Sequence, residues 1–528
     1  MTDRAPQAVV PGHTGAAALR RLRRRYRSEF MFRALGGGAV LLAGGFLAAF
    51  LATILVTALP AFTQHDVRLE IALPAPEFNP AGAGSEALAR AVDAGNVDAV
   101  ILAALRARLS DPGDPADYRA LGEIISAGAA AQLRRQVLAD PTMIGARRIV
   151  ALPLEATADL YLKGLVTERE TAAGRGTLAL AGGPREVRLT AAGADFAAAR
   201  LAARQGLLTR EVPSFLIAVH GGLIRLKAID GATATGDIII APRSLAPAPA
   251  GTWQIVRLAV PEAGRRLGDN AIGHLDQLQA QGLVERRFAW ELLAGGDSRE
   301  PELAGIGVAM IGSVLTLLVT FLVSFPIGVA AAVHLEEFAP RSRLTDLIEV
   351  PIGNLAAVPP IIFGLLGVAI FLNMFGLPRA APLVAGLVLA LMTLPVIIIA
   401  ARAALRAVPG SVKEAALGLG ASHQQAVFHH VLPQAMPGIL TGAILGMAQA
   451  LGETAPLLML GMVAFVVDPP SGLTDAATTL PVQIFMWAGF PEPAFRHKTA
   501  AAVLALLVVL VVMNALAVFL RRRFERRW

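Results

Sequence analysis

Six stretches of this chain stay apolar for about 20 residues or more, long enough to cross the hydrocarbon core of a bilayer as a helix. They run from Ala34 to Phe62, Leu303 to Val333, about Val350 to Phe375, Leu383 to Ala401, about Ile439 to Val467, and Ala500 to Leu520. The first exceeds the roughly 7–15 apolar residues of a signal-peptide core, so it is predicted to remain as an anchor. Between the first two spans the pattern changes. Ser85 to Leu109 places Leu88, Ala91, Val92, Val97, Val100, Ile101 and Leu105 at helical spacing. Phe215–Val219, Leu223–Ala228 and Asp237–Ala241 are short apolar runs bounded by glycine and proline, and they predict strands. Residues 72–84 and 242–251 are rich in Pro, Ala and Gly and predict loops. The pattern as a whole predicts an α-helical integral membrane protein with six transmembrane helices and an α/β domain inserted at 63–302.

Arginine placement orients the spans. Arg20, Arg21, Arg23, Arg24, Arg25 and Arg27 precede the first, and Arg521, Arg522, Arg523, Arg526 and Arg527 follow the last. Basic residues flanking spans collect on the cytoplasmic side, so both termini are expected inside, and six crossings satisfy both. Loops 334–347 and 402–437, with Arg341, Arg343, Arg402, Arg406 and Lys413, then face the cytoplasm, while 376–382 and 468–498 face out. The long 63–302 segment also falls outside, because long domains translocate largely regardless of charge. The expected organisation is a cytoplasmic Arg-rich N-terminus at 1–33, a first anchor at 34–62 and a periplasmic α/β domain at 63–302. A five-helix core at 303–520, carrying the cytoplasmic loop 402–437, and a basic cytoplasmic tail at 521–528 complete it.

Composition agrees with a membrane protein. Of 528 residues 55% are hydrophobic and only 16% charged, against about 25% charged in soluble domains, and the mean hydropathy is +0.58. The net charge of +7 sits in the flanks of the spans rather than in a patch, which argues against nucleic-acid binding. With no cysteine there is no disulfide, thiolate metal site or Cys nucleophile. The nine histidines include no H-E-x-x-H pattern, and His423, His429 and His430 lie on the polar 402–437 loop, so no metal site is expected. None of the four lysines (Lys163, Lys227, Lys413, Lys498) follows a glycine, which excludes a phosphate loop for ATP. Asp159, Glu168, Glu170 and Asp195 are scattered rather than paired. No catalytic residue is assigned, and the chain is not expected to be an enzyme.

Two polar segments stand out. In the 402–437 loop, Pro409-Gly410 ends a helix, and Ser411 and Glu414 have the S-x-x-E spacing of a capping box. Ala415 and Ala416 predict a low-profile face that another protein can approach, and Gly418 and Gly420 predict a helix stop. Ser422-His-Gln-Gln425 is a second such box, and Pro433 and Pro437 set the entry into the fifth span. The segment reads either as a docking helix or as an ordinary capped loop helix. Within the fifth span, Gly452-Glu-Thr-Ala-Pro-Leu-Leu458 is polar. A carboxylate at membrane depth is costly unless it is paired, protonated or facing water, so Glu453 is a functional candidate; a structural interhelical hydrogen bond is the other reading. Gln449, one turn earlier, shares its helix face. Thr454 points elsewhere unless the helix breaks, and Pro456 frees a backbone carbonyl.

The spacing of Glu414-Ala415-Ala416, Gly420 and Leu432-Pro433 resembles the coupling motif of ABC importer permeases, with His430 standing where that family usually has an aliphatic residue. Gly452–Leu458, Leu347–Pro359, Ile362–Gly367, and Pro437-Gly438 with Thr441-Gly442 resemble the PstA family of phosphate-importer permeases. The resemblance covers roughly 300 to the C-terminus plus the first anchor, and 63–302 is similar to the outer extension some of these permeases carry. It implies the type I ABC importer permease fold and a permease subunit for inorganic phosphate in the bacterial inner membrane. The implied partners are a PstC-type second permease, a PstB-type ATPase dimer holding ATP and Mg, and a periplasmic phosphate-binding protein; no cofactor is implied on this chain. Ser411, Glu414, Ala415, Ala416, Gly420, Leu432 and Pro433 are the implied ATPase-coupling residues. Gln449, Gly452, Glu453, Thr454 and Pro456 are the implied polar group of the translocation path. Many relatives have an arginine where Gln449 stands, so Glu453 is expected to pair with a basic residue of the second permease. A permease for another oxyanion (sulfate or phosphonate) and a membrane-anchored sensor are the alternative readings.

Overall fold

The computed structural model describes residues 16–78, 85–109, 120–183, 185–191, 195–340, 342–463 and 465–524. Residues 1–15 of the expected N-terminal segment, Arg341, and Arg526 and Arg527 of the expected tail lie outside them. Residues to Thr57 form one unit and Ala58–Trp528 a second. The first is a single helix, α1 (Ala16–Ala58), of 43 residues. At 1.5 Å per residue it is roughly 64 Å long, about twice the hydrocarbon thickness, so its arginine-bearing turns extend past the apolar stretch. Leu41 and Leu42 on it are 78% and 79% exposed, as a helix with lipid for solvent requires.

The described residues of the 63–302 region carry ten strands: β1 (Thr63–Ala72), β2 (Arg147–Pro153), β3 (Arg169–Ala173), β4 (Ala179–Gly182), β5 (Glu186–Thr190), β6 (Ser214–Val219), β7 (Gly222–Asp230), β8 (Thr233–Ile240), β9 (Gln254–Leu258) and β10 (Val284–Phe288). They build a three-stranded sheet in the order β10-β1-β2 and a seven-stranded sheet in the order β3-β9-β6-β7-β8-β5-β4. Helices and strands both occur, as expected, and the strand pairings in both sheets are antiparallel. β1 alternates, with Val67, Leu69 and Ile71 buried and Arg68 and Glu70 outward. β6 is apolar from Phe215 to Val219 because it is covered on both faces: Phe215, Ile217 and Val219 join the core around Trp253 and Phe196, and Leu216 joins the core around Ile101 and Leu133. The helix predicted from Ser85 to Leu109 is instead two, Ser85–Ala94 and Val97–Arg106. Gly95 separates them where a Cβ would lie 2.3 Å from the Phe78 ring, and Asn96 caps the second by accepting the Ala99 N–H at 3.1 Å.

The membrane core comprises α2 (Gly307–Val333), α3 (Arg343–Leu355), α4 (Pro360–Gly367), α5 (Pro382–Arg406), α6 (Gly410–Gly418), α7 (Leu432–Gly452), α8 (Ala455–Met459), α9 (Leu480–Ala488) and α10 (Pro493–Phe524). Among the described residues five helices are long and apolar enough to span, and a sixth crossing results if the pair 347–355 and 360–374, bent by 103°, counts as one. The predicted third span is thus broken, because Pro359 and Pro360 offer no N–H to continue the ladder from α3. The predicted fifth span, 439–467, begins earlier and stops at Gly452. α9 was not anticipated; it lies in the stretch expected to be a loop.

Small residues bring these helices together. Cβ atoms added at Gly438 and Gly442 of α7 would lie 2.7 and 2.1 Å from the Cβ atoms of Ala404 and Ala400 on α5, so a four-residue repeat of small side chains faces its match. Gly386 of α5 faces Val319 of α2 in the same way, at 2.5 Å. Two hydroxyls of α2 bond to backbone: Thr320 donates to Thr316 O at 2.8 Å and to Gly386 O of α5 at 3.2 Å, and Ser324 donates to Thr320 O at 2.7 Å.

Candidate functional site

α7 ends where the sequence placed a polar signature. Pro456 lacks the N–H that would reach the carbonyl of Gly452, and its ring would crowd that turn, so the helix cannot run through. Glu453 turns to extended backbone (φ −79°, ψ 119°) and Thr454 leads into the short α8. α8 closes on Gly461, whose φ of +84° lets Gly461 N–H reach Leu458 O at 3.1 Å and Met462 N–H reach Leu457 O at 3.2 Å. α8 is held from behind by α4. A Cβ on Gly364 would lie 2.7 Å from Pro456 Cα, so only glycine permits this approach. Pro456, Leu457 and Leu460 are buried against α5, whereas Gln449 and Gly452 are exposed and Glu453 and Thr454 half-buried. Neither Gln449 nor Glu453 has a side-chain hydrogen-bond partner among the described residues. Gln449, Gly452, Glu453, Thr454 and Pro456 therefore do gather at one helix break, part of which opens outward.

The 411–433 residues lie at the opposite end of α7, about 30 Å away for 21 residues. The expected Ser411–Glu414 capping box is absent. Pro409, in extended conformation (φ −59°, ψ 132°), occupies the cap position, so Ser411 comes two residues too late to cap and Glu414 is left free on the surface. Pro409-Gly410 accordingly opens α6 rather than closing α5, which ends at Arg406. The second box does form: Ser422 Oγ accepts the Gln425 N–H at 3.2 Å and Gln425 Oε1 accepts the Ser422 N–H at 2.9 Å. Gly420 ends α6 with φ +89°, and Ala421 N–H reaches Ala416 O at 3.1 Å. Of the low-profile pair, Ala415 is exposed and Ala416 buried. The outward face holds Glu414, Ala415, Leu417 and Leu419, the last 91% exposed. Pro433 is exposed and Leu432 half-buried where α7 begins.

Other polar groups carry structure that sequence reading passed over. Asp297 is buried, and its Oδ1 accepts from Gln483 Nε2 at 2.8 Å and Trp487 Nε1 at 3.0 Å of α9, while its N–H donates to Val466 O at 2.9 Å. The preceding Gly295-Gly296 pair was the one local signal; a Cβ on Gly296 would lie 2.0 Å from Val467 O. The segment before α2 is thereby fixed to both α9 and the turn after α8. Where β1 leaves 58–62, Lys163 Nζ donates to Pro60 O at 2.7 Å, to Thr63 O at 2.5 Å and to Asp159. Burial lowers the Lys163 pKa, with Asp159 opposing it. The same cavity, with about 30 Å³ of space for water, is lined by Gln64, Glu302, His497 and Lys498. Burial pushes Glu302 up to about 7. Asp195 accepts backbone N–H groups of Arg175 and Gly176, and Glu170 pairs with Arg257, so these acids serve the fold. Among the described residues no group of three or more His, Cys, Asp or Glu is arranged to hold a metal.

Residues 324–528 match the family described as "Binding-protein-dependent transport system inner membrane component", and residues 19–172 match "Domain of unknown function (DUF3333)". The "Probable ABC transporter permease protein YqgI" of Bacillus subtilis (strain 168) is 33% identical over 218 residues, covering 40% of this chain and 69% of that protein. The "Phosphate transport system permease protein PstA 1" of Mycobacterium tuberculosis (strain CDC 1551 / Oshkosh) is 30% identical over 244 residues, 46% of this chain and 79% of that protein. The "Phosphate transport system permease protein PstA" of Yersinia pestis is 31% identical over 220 residues, 41% and 73% respectively.

Proposed function

Since the chain belongs to the PstA-type permeases, inner-membrane components of binding-protein-dependent ABC transport systems, we propose that it carries inorganic phosphate across the bacterial inner membrane, moved by a partner ATPase. The observation that carries this reading is α7 itself. One end begins at Leu432-Pro433 beside the exposed α6, and the other ends in the Gly452–Pro456 break, so one continuous helix, with Pro437 inside it, links the proposed docking surface to the polar break. The partners are a PstC-type permease, a PstB-type ATPase dimer holding ATP and Mg, and a periplasmic phosphate-binding protein. Ser411, Glu414, Ala415, Ala416, Gly420, Leu432 and Pro433 form the coupling region, with Glu414 and Leu419 meeting the ATPase groove. Gln449, Gly452, Glu453, Thr454 and Pro456 face the path shared with the second permease. Both termini are cytoplasmic and 63–302 is periplasmic, supported by the arginines that flank the first and last spans. The relatives named for phosphate weigh against sulfate or phosphonate as cargo.

Reconstitution with the three partners in proteoliposomes, with phosphate uptake driven by internal or external ATP as orientation requires, tests the reading. Glu414→Lys is expected to stop uptake while membrane insertion stays at the wild-type level. Normal uptake in that variant would refute the role given to α6.

A further inference from the structure

The ends of α2 and α5 meet α3 and α6 in a cluster of three carboxylates and three cations. α2 runs on into a π-helical turn, His334–Phe338, which carries Glu336 and Glu337 in succession. Glu336 accepts from Arg402 Nε at 3.2 Å and from Arg406 Nε at 2.7 Å, both on α5. Arg402 also donates through Nη2 to Glu349 of α3 at 2.5 Å. Glu337 serves the other side: Oε2 accepts from Lys413 Nζ of α6 at 2.5 Å, and its carbonyl lies 2.8 Å from a ring nitrogen of His423. Successive positions on a helical turn diverge by roughly 80–100° about the axis, which is how two adjacent glutamates reach two different helices. The Phe338 ring closes that side, 5.1 Å from His423 and 6.4 Å from Phe428 between centroids.

α5 and α6 are joined in sequence by residues 407–409. Val408 of that link packs on the cluster around Val427 and Val431, and α6 also rests on the turns 423–431 that lead into α7, so a push on α6 reaches α7 through this packing and backbone. Glu337–Lys413 adds a side-chain attachment to α2. α2 is fixed to α5 by Glu336, α5 to α6 by backbone, and α6 to α2 by Glu337–Lys413, so three bodies form a closed triangle. The closing pair is sheltered, with side-chain exposures of 10% for Glu337 and 30% for Lys413, so salt screens it less than a surface pair. From Arg402 the frame continues to Glu349 and α3, through the bend into α4, and so to Gly364 against Pro456.

We propose that Glu337–Lys413 is the tie through which α6 moves α2, and that Glu336, Arg402 and Glu349 pass the motion to α5 and α3. The proposal rests on the reading of α6 as the ATPase-coupling helix. Glu337 and Lys413 are positioning residues: they touch no substrate. In proteoliposomes of the full four-component complex, phosphate carried per ATP hydrolysed is measured for Glu337→Gln, Lys413→Met and the charge swap Glu337→Lys with Lys413→Glu. Each single variant is expected to keep its ATPase bound and hydrolysing while the ratio falls at least about fivefold, the lower end of ordinary coupling energies. The swap is expected to recover most of the ratio. A wild-type ratio in Glu337→Gln, a swap no better than the singles, or loss of the ATPase from the purified single variants overturns the proposal. Glu414→Lys separates the two levels. Normal transport there removes the reading of α6, whereas its failure beside a fully coupled Glu337→Gln removes the tie alone.

Discussion

Replacing Glu302 by glutamine isolates the energy of one buried carboxylate where 63–302 meets the membrane core. Glu302 is 4% exposed, and the Ser126 hydroxyl beside its carboxylate opposes the larger effect of burial. It shares its cavity with Gln64 of β1, with Asp159 and Lys163 at the helix Ala156–Leu162, and with His497 and Lys498 of α10. Glu155 and Glu300 add like charge. Burial, the main cause, lifts its pKa from 4.5 to about 7. Between those values the folded protein holds a proton that the unfolded chain has released. Stability is therefore highest below about 4.5, falls as pH rises through the window, and levels off above about 7. The difference, 7 minus 4.5, at 1.36 kcal/mol per unit, amounts to about 3 kcal/mol. Glutamine has nearly the same shape and does not ionise. The variant is expected to melt close to wild type at the acid end and to gain up to about 3 kcal/mol by pH 8. Thermal unfolding in detergent, followed by tryptophan fluorescence, suits the question because Trp253 and Trp487 are fully buried, one in each part of the molecule. An offset that is the same at every pH would mean that packing, not charge, separates the two proteins. A variant less stable at pH 8 would mean that ionised Glu302 is paired with Lys163 or Lys498, and the reasoning would be wrong.

Three further outcomes follow from the geometry. Asp297→Ala strips a shared acceptor from Gln483 and Trp487; at about 1.5–3 kcal/mol per bond to a charged group, unfolding should come several degrees earlier with a shift in Trp487 emission, and an unchanged melt would deny Asp297 its role. Gly364→Val places a side chain where Pro456 Cα leaves 2.7 Å; relief requires α4 or α8 to move, at about 1–3 kcal/mol, and uptake should slow with insertion intact, whereas wild-type uptake would contradict the tight contact. Glu453→Gln should reduce uptake by leaving a basic group of the second permease unpaired, and normal uptake in that variant rules out a required ion pair.

Side-chain pattern announced whatever depends on side chains alone. α5, expected at 383–401 and found at 382–406, is apolar, long and packed through small residues, so hydropathy and length suffice. The small-residue repeat at Gly438 and Gly442 was visible as residues, though not the Ala400 and Ala404 that meet it. Hydropathy failed where backbone hydrogen bonding decides. Residues 455–467 are as apolar as a span, yet Pro456 withholds one N–H and the helix ends three residues before it can be resumed. Capping shows the same limit. Ser411-x-x-Glu414 and Ser422-x-x-Gln425 look alike as strings, and the extended Pro409 alone decides that the first comes too late. Arg402, Arg406 and Lys413 were legible as topology signals, but their pairing with Glu336, Glu337 and Glu349 spans 53 to 76 positions, and no local pattern encodes it. The membrane site then falls into two halves by the same logic. What the chain can satisfy internally it has satisfied, with Pro456 and Leu457 buried and α8 closed on Gly461. What it leaves without a partner, Glu453 and Gln449, lies on the open side of the break, and a carboxylate left there at membrane depth is tolerable only beside a donor or water. The open side is therefore where a second permease subunit is expected to bring a basic residue to Glu453, and uptake by Glu453→Gln tests that pairing.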